Sequence, residues 1–185
     1  VRFIGADGLP GNPHNLVSSW KPGEPVWQGT IDGHFVVMQV RAIPNGIRLE
    51  PFAEADAHPF AQRVPGIVMV ARYSKQKDHA TLLRAVALLR ERGLAPPVLF
   101  AGGGKALHRK PLEKLANQLG IGEQVQFPGV VRNVPELLLG HQLAVLATHY
   151  EGMPLALLEG MAAGCAVIGS AVPGVREVLE DGVDG

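Results

Sequence analysis

The chain has 185 residues, 46% hydrophobic and 18% charged, and its 17 basic and 17 acidic side chains give a formal net charge of zero. That size and composition suit one ordinary α/β domain with a real core and argue against disorder; the absent net charge argues against a nucleic-acid partner. Cys165 is the only cysteine, which rules out a disulfide framework, and no apolar run approaches the ~18 residues of a membrane span. With no signal peptide visible at the start, cytoplasm is the expected compartment.

Residues 1–44 are rich in Pro, Gly and Asn, hold Trp20 and Trp27 and show one plausible strand over 34–40. They read as a leader of unknown role. Ile43-Pro44-Asn45-Gly46-Ile47 has turn chemistry and sets the boundary, so residues 45–185 form the second domain. Beyond it, strand and helix alternate. Apolar runs at 67–71, 98–101, 125–127, 143–147 and 166–169 read as strands, and 67–71 as a buried parallel one. Residues 81–92 carry Leu82, Leu83, Ala85, Val86 and Leu89 at helical spacing, with Gly93 as a stop. Helices are also expected over 110–119, with Pro111 in the first turn, over 134–139, over 154–163 and from about Val175. Repeated β-α units predict a Rossmann-like parallel sheet flanked by helices, with right-handed crossovers and a ligand at the C-terminal ends of its strands.

The richest segment runs from Glu151 to Gly164. Glu151 and Glu159 are separated by seven residues, with Gly152-Met153-Pro154-Leu155 beginning the interval. Pro suits a first helical turn, so Glu151 lies in the loop before the helix and Glu159 points out from its second turn. Free N–H groups at a helix start attract anions. Two acids beside an anion site make sense when the ligand carries both phosphate and hydroxyls, as a nucleotide-sugar does. Arg72 and Lys77 follow the first buried strand, where they can hold a diphosphate, Arg bidentately and Lys as a point charge. Gly102-Gly103-Gly104 follows the next strand and allows backbone to approach a ligand or turn sharply; without a third glycine at Leu107 it is no dinucleotide fingerprint. His79, His108, His141 and His149 have no metal-ligand spacing and are expected at the surface or beside helix caps. Cys165 reads as a small buried hydrophobe.

The string Glu151 to Gly164, followed by Val172-Pro173-Gly174-Val175-Arg176-Glu177-Val178 and Asp181-Gly182-Val183-Asp184-Gly185, resembles the retaining glycosyltransferases of the GT-B fold, family 4 (glycosyl transferases group 1). The resemblance covers roughly residues 43–185 and implies the C-terminal, donor-binding half of that fold. It implies transfer of a sugar from a nucleoside diphosphate to an acceptor hydroxyl with retention, of the hexosyltransferase type, and with no metal or other cofactor. Arg72 and Lys77 match the family's cation pair for the donor diphosphate, with Ala71 in place of a glycine. Gly102 and Gly104 match its glycine loop, with Lys105 where a proline is usual. Phe127-Pro128-Gly129-Val130-Val131 matches the segment that reads the nucleotide base, with Val130 at the contact. Glu151 is implied to meet the donor sugar as the catalytic carboxylate, Glu159 the ribose hydroxyls, and Gly152, Met153, Pro154 and Leu155 to line phosphate and sugar.

The family's N-terminal domain is not recognisable in residues 1–44. Family members also continue past Gly185 into a further strand and closing helices, so the sheet is expected to lack elements. The isolated chain is therefore expected to bind donor weakly and transfer little or no sugar. The acceptor, a glycan or a lipid-linked one, is expected to reach the enzyme through the missing domain, with peripheral membrane association of the whole enzyme and a role in polysaccharide biosynthesis. Two alternatives stay open: a non-catalytic nucleotide- or partner-binding module of the same fold, and a sugar-nucleotide epimerase.

Overall fold

The computed structural model describes residues 2–4, 10–13, 16–19, 26–39 and 46–185. Trp20 and positions 43–45 of the boundary turn lie outside these residues. The chain divides into two compact units, Val1–Pro44 and Asn45–Gly185.

In the first unit, β1 (Arg2–Ile4) pairs with β2 (Pro10–Pro13), and β3 (Leu16–Ser18), β4 (Val26–Ile31) and β5 (His34–Gln39) form an antiparallel three-stranded sheet. The β4–β5 hairpin turns at Asp32-Gly33, with φ of 51° and 81°. Asp-Gly tolerates two successive positive φ values, which match the twist of a two-residue hairpin.

The second unit opens with three short 3-10 turns, Glu50–Phe52, Ala55–Ala57 and Phe60–Gln62. Then come β6 (Val64–Val70), α1 (His79–Glu91), β7 (Val98–Ala101), α2 (Ala106–Gln118), β8 (Val125–Gly129), α3 (Val134–Leu139), β9 (His141–Leu146), α4 (Leu155–Ala162), β10 (Ala166–Gly169) and α5 (Pro173–Arg176). The five strands are all parallel, in the order β10-β9-β6-β7-β8. This is the doubly wound α/β arrangement, and the strand order reverses between β6 and β9. β6 is central and its residues Ile67, Val68 and Met69 are at most 5% exposed, which explains a continuous apolar run instead of an alternating one. Leu82, Leu83 and Val86 of α1, Leu138 and Leu139 of α3 and Leu157 of α4 belong to the same core as Phe100, Leu146 and Val167. Ala85 is exposed despite its helical spacing.

One sequence expectation needs correction. The helix expected over 110–119 begins at Ala106, so Pro111 sits inside it. Lys105 is extended (φ −71°, ψ 142°) and ends the glycine loop; the good helix formers that follow start the helix at once, and Arg109 pairs with Glu113 at 2.6 Å one turn on. His79 follows the Asp78 cap of α1, one of the two places expected for it, and is not at the surface. It is 1% exposed, with its ring 5.1 Å from Phe100 and 5.3 Å from Tyr73 between centroids.

Arg63 was not flagged by its sequence, and it is 8% exposed. It donates to the carbonyls of His58 (2.8 Å) and Ala163 (2.7 Å), tying the 3-10 segment to the carbonyl end of α4. A cation there complements the helix dipole. Cys165 is buried beside it, and burial pushes its thiol pKa up, against the pull of Arg63.

Candidate functional site

Where β6 and β9 part, their following loops enclose a cleft of about 350 Å³. Its lining combines Arg72 and Lys77 after β6, Gly102 after β7, and Glu151, Met153, Pro154, Leu155 and Ala156 after β9. This is the strand-end crevice at which open α/β sheets bind ligands. A larger groove of about 820 Å³ runs beside β10 and α5, but it includes none of these groups.

The two loops are tied together. Lys77 and Thr148 form an antiparallel bridge, and Asp78 N–H donates to Ala147 O at 2.9 Å. His149 N–H donates to Gln76 O at 2.9 Å, and the Gln76 amide donates to Tyr150 O at 2.8 Å. This cross-bracing sets Lys77 against Glu151 as an ion pair, with their side chains only 14% and 6% exposed. Asp78 caps α1 by accepting from Thr81 N–H at 3.1 Å and Thr81 Oγ1 at 2.7 Å. Partial burial works against its charge, but those bonds and His149 hold its pKa below the usual value. Tyr73 donates its hydroxyl to Phe100 O at 2.6 Å, and burial pushes the phenol's pKa up. His79 Nδ1 lies 3.2 Å from Lys77 O; burial lowers its pKa from 6.5, and its Nε2 is a buried atom without a partner, as is Ser74 Oγ.

Arg72 is exposed and makes no ion pair with a described residue. Since Glu151 offsets Lys77, Arg72 gives the cleft one uncompensated positive charge. α4 begins beside it with Pro154 as N-cap, a residue with no side-chain group to satisfy the first N–H donors. Positive charge and a helix start therefore meet in one place, with an acid at its edge.

The glycines have different tasks. A Cβ on Gly102 would lie 2.6 Å from Ala71 C, so only glycine lets β6 and β7 run this close at the cleft floor. Gly174 opens α5 against the Glu151-Gly152 backbone, where a Cβ would come within 2.7 Å of Gly152 O. Gly104 bridges to Tyr73 with φ of +154°.

Gly104, Val130, Gly152 and Glu159 are not among the cleft-lining residues. Val130 is 74% exposed just past β8, within 3.1 Å of where a Gly103 Cβ would stand. Gly152 is exposed, with open space around it. Glu159 sits in the second turn of α4, where it is half-buried, and burial raises its pKa. Thr148, buried against Glu151, carried no signal in the sequence reading beyond its place three residues before that acid.

Residues 53–185, well over half of the chain, match the family model of glycosyl transferases group 1. Residues 7–51 match the model of the propionyl-coenzyme A carboxylase BT domain. The chain is 34% identical over 138 residues to the putative glycosyltransferase EpsF of Bacillus subtilis strain 168, covering 70% of this chain and 35% of that protein. It is 27% identical over 158 residues to a UDP-Gal:alpha-D-GlcNAc-diphosphoundecaprenol alpha-1,3-galactosyltransferase of Escherichia coli, covering 80% and 41%. The fold matches Anabaena Alr3699/HepE, solved in complex with UDP and glucose, at a TM-score of 0.64 and 21% identity, covering 76% of this chain and 41% of that one. The chain thus spans only about two fifths or less of these proteins. On the strength of the match over residues 53–185, the chain belongs to the glycosyl transferases group 1 family.

Proposed function

We propose that residues 45–185 form the donor-binding domain of a retaining glycosyltransferase, which moves a sugar from a nucleoside diphosphate to an acceptor hydroxyl. The observation that carries this reading is the convergence of Arg72, Lys77, Glu151 and the start of α4 on one cleft at the strand-order reversal.

In this reading the diphosphate lies against Arg72 and the first turn of α4, and Lys77 turns part of its charge to the phosphate. These groups neutralise the leaving diphosphate, and because they are held in place beforehand little reorganisation is needed. Glu151 accepts from hydroxyls of the donor sugar and stabilises positive charge developing on its ring. Glu159, half-buried, meets the ribose, whose hydroxyls would donate to its ionised carboxylate. Backbone around Val130 borders the base. The HepE complex with UDP and glucose supports a nucleotide-sugar as the ligand class. The acceptor site belongs to a second domain, so the isolated chain transfers little sugar; the relatives' greater length supports this division. The whole enzyme acts in the cytoplasm, in polysaccharide assembly.

Calorimetric titration of the chain with UDP, GDP and ADP tests the reading. One of the three should bind, and Arg72→Ala should weaken it by at least tenfold, as loss of a charge-assisted phosphate contact requires. No binding by any of them, or binding untouched by Arg72→Ala, would refute it.

A further inference from the structure

Thr148 is 4% exposed, has no part in the reaction above, and sets its hydroxyl against Glu151, which lines the cleft. Its Oγ1 lies 2.8 Å from Glu151 Oε1, 3.1 Å from Tyr150 O and 3.2 Å from Gln76 O. All three are acceptors and the hydroxyl has one proton, so it serves one at a time. The carboxylate is both nearest and charged, and it wins. Lys77 Nζ contacts the same oxygen, Oε1. Both partners therefore gather on Oε1, and among the described residues none holds Oε2, which is left to accept from a ligand.

The two partners differ in what a ligand does to them. Lys77 is a cation on a flexible stem, and an entering diphosphate competes with Glu151 for it. Thr148 is neutral and short, and its backbone is fixed. Its N–H donates to Ser170 Oγ at 2.9 Å, and the residue lies in the bridge to Lys77. A diphosphate attracts that neutral hydroxyl less than it attracts the Lys77 cation.

We propose that Thr148 is a positioning residue that keeps the Glu151 carboxylate oriented through Oε1 while Lys77 is shared with the diphosphate, so that Oε2 meets the hydroxyls of the donor sugar. The proposal rests on the reading that Glu151 faces the sugar. It predicts a selective defect, in which Thr148 matters for the carbohydrate part of the donor and not for the nucleotide part.

The test compares binding of UDP and UDP-glucose by calorimetry in wild type, Thr148→Val, Thr148→Ser, Glu151→Ala and the Thr148→Val/Glu151→Ala double variant. Val keeps the shape without the hydroxyl, whereas Ser keeps the hydroxyl. Thr148→Val should raise the Kd for UDP-glucose on the order of tenfold while changing that for UDP less than about twofold. Thr148→Ser should remain near wild type, and Thr148→Val should have no further effect once Glu151 is Ala. Equal loss of both ligands in Thr148→Val would mean a merely structural role and overturn the proposal, as would no loss of either. If wild type binds neither ligand but binds GDP or ADP, the same comparison is made with that diphosphate and its glucose ester; if it binds none of the three, or Glu151→Ala leaves binding of the sugar nucleotide intact, the reading of Glu151 itself fails and the proposal falls with it, and the wild-type and Glu151→Ala measurements separate that failure from a failure of Thr148 alone.

Discussion

The C-terminal rim of the parallel sheet has two unlike stretches. Around β6 and β9 the loops are laced by backbone bridges, a buried ion pair and a buried hydroxyl. Around β7 and β8 the rim is glycine backbone, with Val130 74% exposed beside it. The first stretch has its polar groups placed in advance, at the cost of burying charge; the second supplies room and backbone. Such a division suits a ligand whose diphosphate and sugar need oriented partners and whose base can be met by main-chain groups.

The contrast is sharpest at two glycines. Gly102→Val should destabilise the second unit by roughly 4 kcal/mol or more, or abolish its cooperative unfolding, because the new side chain meets backbone at the floor of the cleft. Gly152→Ala faces open space and should leave urea stability within about 0.5 kcal/mol. Between these extremes lies the ion pair. Lys77→Met leaves Glu151 charged and buried without its cation, and should cost about 3 kcal/mol in chemical denaturation. The Lys77→Met/Glu151→Gln double variant should recover part of that loss, because no unpaired charge remains. Equal losses in the single and double variants would mean that the pair is not what braces the two loops.

A smaller effect concerns pH. His79 is held neutral because burial lowers its pKa from 6.5. The unfolded chain takes up that proton first as pH falls, so stability drops below the unfolded value and continues to drop toward the lowered folded one. His79→Phe should flatten the loss measured as pH falls below about 6.5. An unchanged slope would place the responsible titration elsewhere, with Asp78 contributing only at lower pH, where its depressed carboxyl pKa is reached.

Much of this rim was legible in the sequence because its signals are local. The runs at 98–101, 134–139 and 166–169 match β7, α3 and β10, since apolar blocks closed by turn residues leave few alternatives. Arg72, Lys77, Glu151 and Met153 to Leu155 could be named because they lie in the loops after buried strands or at the start of a helix and match the family pattern. What escaped depends on pairing between distant segments. Nothing in Lys77 or Glu151 alone announces that they pair with each other across 74 positions. Thr148 and Arg63 are likewise ordinary in sequence and gain meaning only from carbonyls and carboxylates brought from elsewhere. His79 stands beside a helix cap as expected, but its burial was not legible, because the aromatic rings of Tyr73 and Phe100 that cover it lie outside its helix. Pro111 misplaced the start of α2, because the handed-down preference of proline for first turns was weaker than the helix-forming run before it.

The most direct test of the cleft is a titration of the isotope-labelled chain with the nucleoside diphosphate that binds it, followed by amide NMR shifts. Shifts should concentrate at Arg72, Lys77, Gly102, Glu151 and Met153 to Ala156, the residues that line the opening between β6 and β9. Shifts confined to the groove beside β10 and α5, with those residues unmoved, would contradict the account.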